Sequence, residues 1–471
     1  MTSVAPSPAS TATQSPPAAK PGSNTVLTAS LMGFFVIALD ALVVTVALPD
    51  ISRSVSGGMS GLQWVVDGYT LAFASLMLSA GALSDRIGAS RAYGLGLALF
   101  TAASAACGFA PNLTMLVVAR LVQGAAASLM MPASLALVRQ AFPDAEKRAR
   151  AIAIWTGAGA VAAAFGPVAG GALTSALNWR AIFFLNLPVG LLGLALLTRA
   201  PKSPRQSAPI DLPGQLTGVV ALAGLTYGLI EGGAAGFGTP RVIVTLVVAA
   251  LSAIAFAVVE SRQEKPMMPL SLFRTRTMSV TAAAGFSINA AFYGSIFVLS
   301  LFFQQGHHLS PLSAGLMFLP MTALVAVMNL FFAARIARRF GPRLPIALGQ
   351  AGTAAALLGL LAVGNGTPEW ILALAVLPVA FAGSLSVPAL TALLMGSVPP
   401  ERAGSAAGIL NTARQVGGAM SVAVFGALVA HEDTFSSGMR TSLVVSAVLL
   451  AVTAAASQFL LPRPDKPAVK S

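Results

Sequence analysis

The stretch "GFFVIALDALVVTVALP" (33–49) decides what kind of chain this is. It reads as a greasy helix with one exception, the aspartate at position 40. A charged group near the centre of a membrane span costs ~2.5–3.5 kcal/mol on insertion scales. Either the segment is no membrane span, or Asp40 has a partner or a task.

The composition of the whole chain bears on that choice. Of 471 residues, 56% are hydrophobic and 9% charged, and the mean hydropathy is +0.81. A soluble domain carries about a quarter charged residues, so there is too little polar surface here to cover a particle in water. Apolar runs of about 20 residues, enough to cross a hydrocarbon core as helices, recur to the end of the chain. Pro, Gly and charge clusters punctuate them. The spans predicted are 27–49, 62–82, 92–110, 113–138, 151–175, 180–198, 214–231, 241–260, 278–304, 312–334, 344–363, 370–396, 404–430 and 441–461. The fold class is an all-α polytopic membrane protein with fourteen transmembrane helices. Residues 1–26, rich in Ser, Pro, Ala and Thr, cannot bury a core and read as a disordered tail. They lack the basic start and immediate apolar core of a signal peptide, so the first apolar segment is expected to stay as a span.

The net charge of +13 is a topology signal. Of the 28 Lys and Arg residues, 22 fall in one set of alternate loops and the two tails. Four lie in the opposite set (Arg53, Arg180, Arg241 and Arg440), and Arg120 and Arg414 lie inside spans. The positive-inside rule places the rich set and both termini in the cytoplasm. Nucleic-acid binding is not expected. The single cysteine, Cys107, sits in an apolar helix, which excludes a disulfide framework and a cysteine-based metal site.

Two weak internal repeats fit a duplicated architecture. "GALSDRIGASR" (81–91) pairs with "AARIARRFGPR" (333–343), and "FPDAEKRARAIAI" (142–154) with "VPPERAGSAAGIL" (398–410). Their order gives two six-helix halves, residues 27–198 and 278–461, with the spans of 199–277 inserted between them and a short tail at 462–471.

Several positions carry candidate chemistry. Asp40 and Arg120 each lie eight or nine residues from the outer ends of their spans, so both sit ~12–14 Å deep and can meet. An intramembrane Arg normally faces the interior and has a partner; a proton site and a static ion pair both remain open. The loop 81–91 makes a tight turn in which Asp85 and Arg86 sit at the cytoplasmic edge, placed to latch two helix bundles. "WTGAGAVAAAFGPVAGGAL" (155–173) lets backbones approach closely, and Pro167 removes a backbone donor, which suits a bending or sealing element. Asp67 in "LQWVVDGYTL" either lines an outward-facing vestibule or anchors a helix end. Arg414 is a gating charge, a contact for an anionic substrate group, or a structural Arg. Glu231 reads as an interface residue, and His307 and His308 as solvent-exposed. Phe292, Tyr293, Phe302 and Phe303 are candidates for an apolar substrate cavity. No phosphate-cradling loop, Ser/His/Asp set or metal-spaced cluster appears, so no enzyme and no cofactor is expected.

"LDALVVTVALP", "GALSDRIGASR", "ARLVQGAAAS", "GPVAGG" and "WRAIFFLNLPVG" (179–190), in that order, resemble the fourteen-helix drug:proton antiporter branch of the major facilitator superfamily. Within it, "LQWVVDGYTL" is most similar to antibiotic exporters of the methylenomycin-resistance type. The resemblance implies a cytoplasmic gate loop of Gly81, Asp85, Arg86, Gly88 and Arg91. It implies a proton-linked motif at Arg120, Gln123 and Gly124, a first-helix carboxylate at Asp40, and an antiporter motif at Gly166, Pro167, Gly170 and Gly171. Ala89 and Ser90 depart from the two basic residues usual in the gate loop, and Ala162 from the glycine that opens the antiporter motif. The function implied is proton-driven efflux of a small amphipathic molecule by a monomer in a bacterial cytoplasmic membrane, with the proton gradient as energy source. Uptake or facilitated diffusion by the same fold, and a receptor or scaffold without transport, are the alternatives.

Overall fold

The computed structural model describes residues 22–462, except 56–57, 200–202, 206–210, 265, 365, 399–401 and 431. The predicted tails at 1–21 and 463–471 lie outside the described residues. Every regular element among the described residues is helical. The first six predicted spans correspond to α1 (Ser23–Val55), α2 (Met59–Ile87), α3 (Ala89–Gly108), α4 (Leu113–Ala141), α5 (Ala145–Ala176) and the pair α6 (Ala181–Phe184) and α7 (Asn186–Leu197). The inserted pair is α8 (Leu212–Ala235) and α9 (Pro240–Arg262). Then come α10 (Arg276–Leu301), α11 (Pro311–Val327), α12 (Ala333–Phe340), α13 (Arg343–Gly359), α14 (Glu369–Ala375), α15 (Leu377–Ser397), α16 (Ala403–Leu428) and α17 (Phe435–Leu460).

Among the described residues, ten helical stretches are long and apolar enough to cross a membrane, and two more, Ala181–Leu197 and Pro311–Val327, are apolar but shorter. The helices differ from the predicted spans in detail. α1 begins at Ser23, so residues 23–26, assigned to the tail from composition, are helical. It also runs through Pro49 to Val55, where Arg53 pairs with Asp50 one turn back. The sixth span breaks at Leu185 into α6 and α7. Wide π-turns follow α10 at Phe302–Gly306 and α11 at Met328–Phe332.

In the first half α1 packs on α4, α5 and α7, and α4 on α2 and α3. In the second, α10 packs on α16 and α17, and α13 on α15 and α17. Two long helix pairs, α5 with α11 and α2 with α16, join the halves, and α8 leans on both α2 and α16. Gln63 Nε2 donates to Ala423 O at 2.8 Å, Ser300 Oγ to Thr45 O at 3.0 Å, Gln304 Nε2 to Val46 O at 3.0 Å, and Thr322 Oγ1 to Ala164 O at 3.0 Å. These bonds lie between mid-depth and the end opposite the basic loops. Phe302 and Phe303 close that end from within, each 1% exposed; Phe303 packs on Phe318 at 5.2 Å.

The outside of the bundle is apolar. α9 buries only 11% of its apolar window, and Ile243, Val244, Val247, Leu251 and Ile254 are exposed on it. A contiguous apolar face of this kind is stable only against lipid or a partner, and closed backbone hydrogen bonding within each helix satisfies the requirement of a hydrocarbon environment. The chain is a multi-pass membrane protein.

Candidate functional site

Asp40 is completely enclosed, and its partner is the predicted one. Arg120 Nη1 on α4 bonds Asp40 Oδ2 on α1. Gln123, three residues along the same helix face, accepts from Arg120 Nη1 at 2.9 Å and donates to Asp40 Oδ1 at 3.0 Å. Arg120 Nε donates to the Val65 carbonyl of α2 at 2.9 Å, and its guanidinium lies over the Tyr69 ring, 4.4 Å from the centroid. That face contact adds a cation–π attraction, strongest where water is excluded. The Tyr69 hydroxyl donates to Ile37 O at 3.2 Å, which ties α2 to α1.

One member of this knot escaped the sequence reading. Asn186, the first residue of α7, donates from Nδ2 to Asp40 Oδ1 at 2.9 Å and to Ser104 Oγ of α3 at 3.0 Å. Ser104 Oγ in turn donates to Phe183 O at 2.8 Å. Six helices, α1 to α4, α6 and α7, thus meet in one network around this carboxylate. The signal was a polar residue inside the apolar run "IFFLNLPVG", at the break before Pro188.

The arrangement is neutral overall, one anion against one cation, with amides filling the remaining positions. A buried pair of this sort survives only as a closed set; removing one partner leaves a bare charge. The knot joins one acid and one cation carried by different helices.

The antiporter-motif residues occupy helix crossings. A Cβ at Gly170 would strike the Val43 carbonyl of α1, one at Gly171 the Pro311 carbonyl of α11, and one at Gly315 the Pro167 carbonyl of α5. A Cβ at Gly166 would come within 3.0 Å of Leu42 Cβ. These glycines bring α5 into backbone contact with both halves, which fits a sealing element.

In the gate loop, Gly88 has φ +91° and its N–H donates to Ser84 O at 3.0 Å, the tight turn expected of a residue without a Cβ. Residues 203–204 cross over it: Ser203 O would lie 3.0 Å from a Cβ there, and Ser90 N donates to Ser203 Oγ at 3.1 Å. Asp85, Arg86 and Arg91 are exposed, and none of them has an ion-pair partner among the described residues. The latch between bundles is not formed in this conformation. Gly81 faces open space.

Asp67 departs from expectation. It is fully buried, one turn from Gln63 where α2 meets α16, and neither carboxylate oxygen has a hydrogen-bond partner among the described residues. No open vestibule surrounds it here. Arg414 Nε donates to Asn289 Oδ1 on α10 at 3.2 Å, and Tyr293 is its neighbour. Phe292 and Tyr293 stack edge to face at 5.4 Å; Phe292 lines an apolar cavity within the second half with Leu299, Met321 and Leu357. Phe302 and Phe303, expected at a substrate cavity, belong instead to the closed end described above.

Residues 30–422 match the sequence model of the Major Facilitator Superfamily. The chain is 37% identical over 447 residues to a methylenomycin A resistance protein of Streptomyces coelicolor, covering 94% of each. It is 40% identical over 409 residues to the multidrug resistance protein Stp of Mycobacterium tuberculosis, covering 86% of this chain and 75% of that one. The crystal structure of the human organic anion transporter MFSD10 superposes with a TM-score of 0.66 at 17% identity, over 93% of this chain and all of that one, a likeness of fold. From motif order, helix arrangement and these matches, the chain belongs to the Major Facilitator Superfamily and is a membrane transporter.

Proposed function

We propose that this protein exports small amphipathic molecules across the bacterial cytoplasmic membrane, driven by protons entering in exchange. The observation that carries this reading is the enclosed Asp40–Arg120–Gln123–Asn186 knot, in a chain whose relatives are named for resistance to antibiotics. A carboxylate so deep in a transporter has a function to offset its insertion cost.

In this reading fourteen helices cross the bilayer and both termini lie in the cytoplasm. The hydrogen bonds between the halves gather toward the outer end, so that end is the closed one, and the exposed Asp85 and Arg86 are a disengaged inner latch. Substrate enters from the cytoplasmic side and meets Tyr293, Arg414 and the aromatic wall beside Phe292. Rocking of the halves about the α5–α11 and α2–α16 contacts opens the outer end and strains the knot. When Arg120 withdraws, Asp40 takes a proton from outside; when the inward state re-forms, Arg120 displaces that proton into the cytoplasm. Asp67 faces the α2–α16 seam, where it meets water or substrate once the outer end parts.

Everted membrane vesicles test the proposal. With the interior acidified, drug accumulation is expected in vesicles bearing the wild type, abolished by a protonophore and absent in Asp40→Asn. Undiminished accumulation in Asp40→Asn, or accumulation only when the gradient is reversed, would overturn it.

A further inference from the structure

The inserted helices carry a second buried acid arrangement that no export step uses. Asp211 caps α8: its Oδ1 accepts from Gly214 N at 2.8 Å and from Gln263 Nε2 at 2.8 Å. Glu260, in the last turn of α9, accepts the Met268 N–H on Oε2 at 2.9 Å. The other two oxygens, Asp211 Oδ2 and Glu260 Oε1, are buried without a donor among the described residues. They face each other. The point where a Cβ of Gly214 would sit lies 2.5 Å from Asp211 Oδ2 and 2.6 Å from Glu260 Oε1, so both oxygens border the same small space. The residues are 7% and 2% exposed.

Among the described residues, the surroundings supply no compensating charge. Arg262, Glu264, Arg274 and Arg276 are exposed, and neither acid has an ion-pair partner among the described residues. α2 presents Ser75 and Ser79 to this corner. Arg414, the one charged residue of α16, bonds Asn289 instead. Two buried carboxyl oxygens that border one space with no donor between them repel when both are charged, and a proton placed between them removes that repulsion.

We propose that Asp211 and Glu260 form a second proton-binding site, one proton being shared between Asp211 Oδ2 and Glu260 Oε1, and that this proton fastens the inserted helices to the gate-loop end of α2. The fastening runs through Gln215, next to the capped turn, whose Nε2 donates to Ser75 O at 2.9 Å and whose Oε1 accepts from Ser79 Oγ. Ser79 Oγ also lies 2.9 Å from the Met267 sulfur in the segment that Glu260 anchors. Ser79 stands two residues before the gate loop. Loss of the shared proton sets two carboxylates against each other, separates the ends of α8 and α9, and releases Gln215 and Met267 from α2. Coupled carboxyls of this kind titrate as a pair.

Two measurements on the full chain in lipid nanodiscs test this, and neither uses a substrate, so the result stands apart from the export reading. In infrared spectra at about pH 7, the wild type is expected to show a protonated-carboxyl C=O band. The part of it that persists in Asp67→Asn, which removes the other unpartnered buried carboxyl, should vanish in Asp211→Asn and in Glu260→Gln, whose amides replace the shared proton with an N–H donor and keep the fold. It should persist in Asp40→Asn. A band absent from Asp67→Asn, or one left undiminished there by both amide substitutions, overturns the proposal. For the link to α2, Ala82→Cys in a Cys107→Ala background is labelled with a maleimide, its rate corrected for thiolate ionisation. The rate should rise several-fold between about pH 6 and about pH 9 and lose that rise in Glu260→Gln. The same rise in both would overturn the fastening.

Discussion

The hydroxyl of Ser300 on α10 donates to the carbonyl of Thr45 on α1, 3.0 Å away. That carbonyl is available for a chemical reason: the residue four places on is Pro49, which has no N–H to close the helical bond. The helix interruption in one half is satisfied by a side chain of the other. The same turn offers Val46 O to Gln304, so the weak point of α1 becomes part of the outer closure.

Ser300→Ala should therefore loosen that closure. It leaves a buried carbonyl unpaired, at about 1–3 kcal/mol, and the cost falls only on the closed state. Cysteines placed at Ser175 and Leu312, which are bonded across the same end, should form a disulfide less readily in Ser300→Ala than in the parent pair. An unchanged yield would argue against the closure.

Glycines of similar appearance should behave differently. Gly171→Ala and Gly315→Ala push a methyl into backbone atoms of the opposing half, and overpacking of this kind costs about 1–3 kcal/mol. Melting in detergent should drop for both, and transport with it. Gly81→Ala meets no neighbour and lies inside α2, where alanine is favoured by about 0.5–1 kcal/mol; its melting temperature should hold or rise.

The knot should respond asymmetrically. In Asp40→Asn, Arg120 keeps Val65 O, Gln123 and the Tyr69 ring, so the protein should fold and fail to couple. Arg120→Gln strands Asp40 as an unpaired buried acid, a change of about 3–5 kcal/mol, and should lower folded yield sharply. The double variant should recover part of that yield, a coupling readable in a double-mutant cycle. Arg120→Lys should not rescue, because an ammonium cannot hold Val65 O and Asp40 in a fork while lying on a ring.

Asn186→Ala removes one donor to a charged group, about 1.5–3 kcal/mol. Transport in vesicles should fall without being abolished, while Asn186→Asp, which sets a second carboxylate against Asp40, should fall further. Equal activity in all three would remove Asn186 from the site.

These residues differ in how far the sequence exposes them. Asp40 and Arg120 are legible because helical rise fixes depth, and charges at equal depth in a dry interior have to meet. Asn186 is not, since an amide before a proline at a helix break reads as local capping, and only the packing of α7 on α1 turns it inward. Gly170 and Gly171 announce close approach, yet the identity of the opposing backbone depends on how the halves dock. Asp67 looks like a helix-end anchor because hydropathy carries no azimuth; its complete burial, one turn from a residue that bonds α16, is a tertiary fact. Asp211 and Glu260 lie 49 residues apart in the chain, each beside basic loops, and read separately as ordinary boundary charges.

Cys107 is buried, free and 3.7 Å from Gln123 Oε1. It is also the chain's one cysteine. The protein therefore carries a built-in chemical reporter beside its central carboxylate. A small thiol reagent should react there faster when the knot opens, so the labelling rate of the natural chain, one sulfur per molecule, reports how often the core becomes accessible during transport.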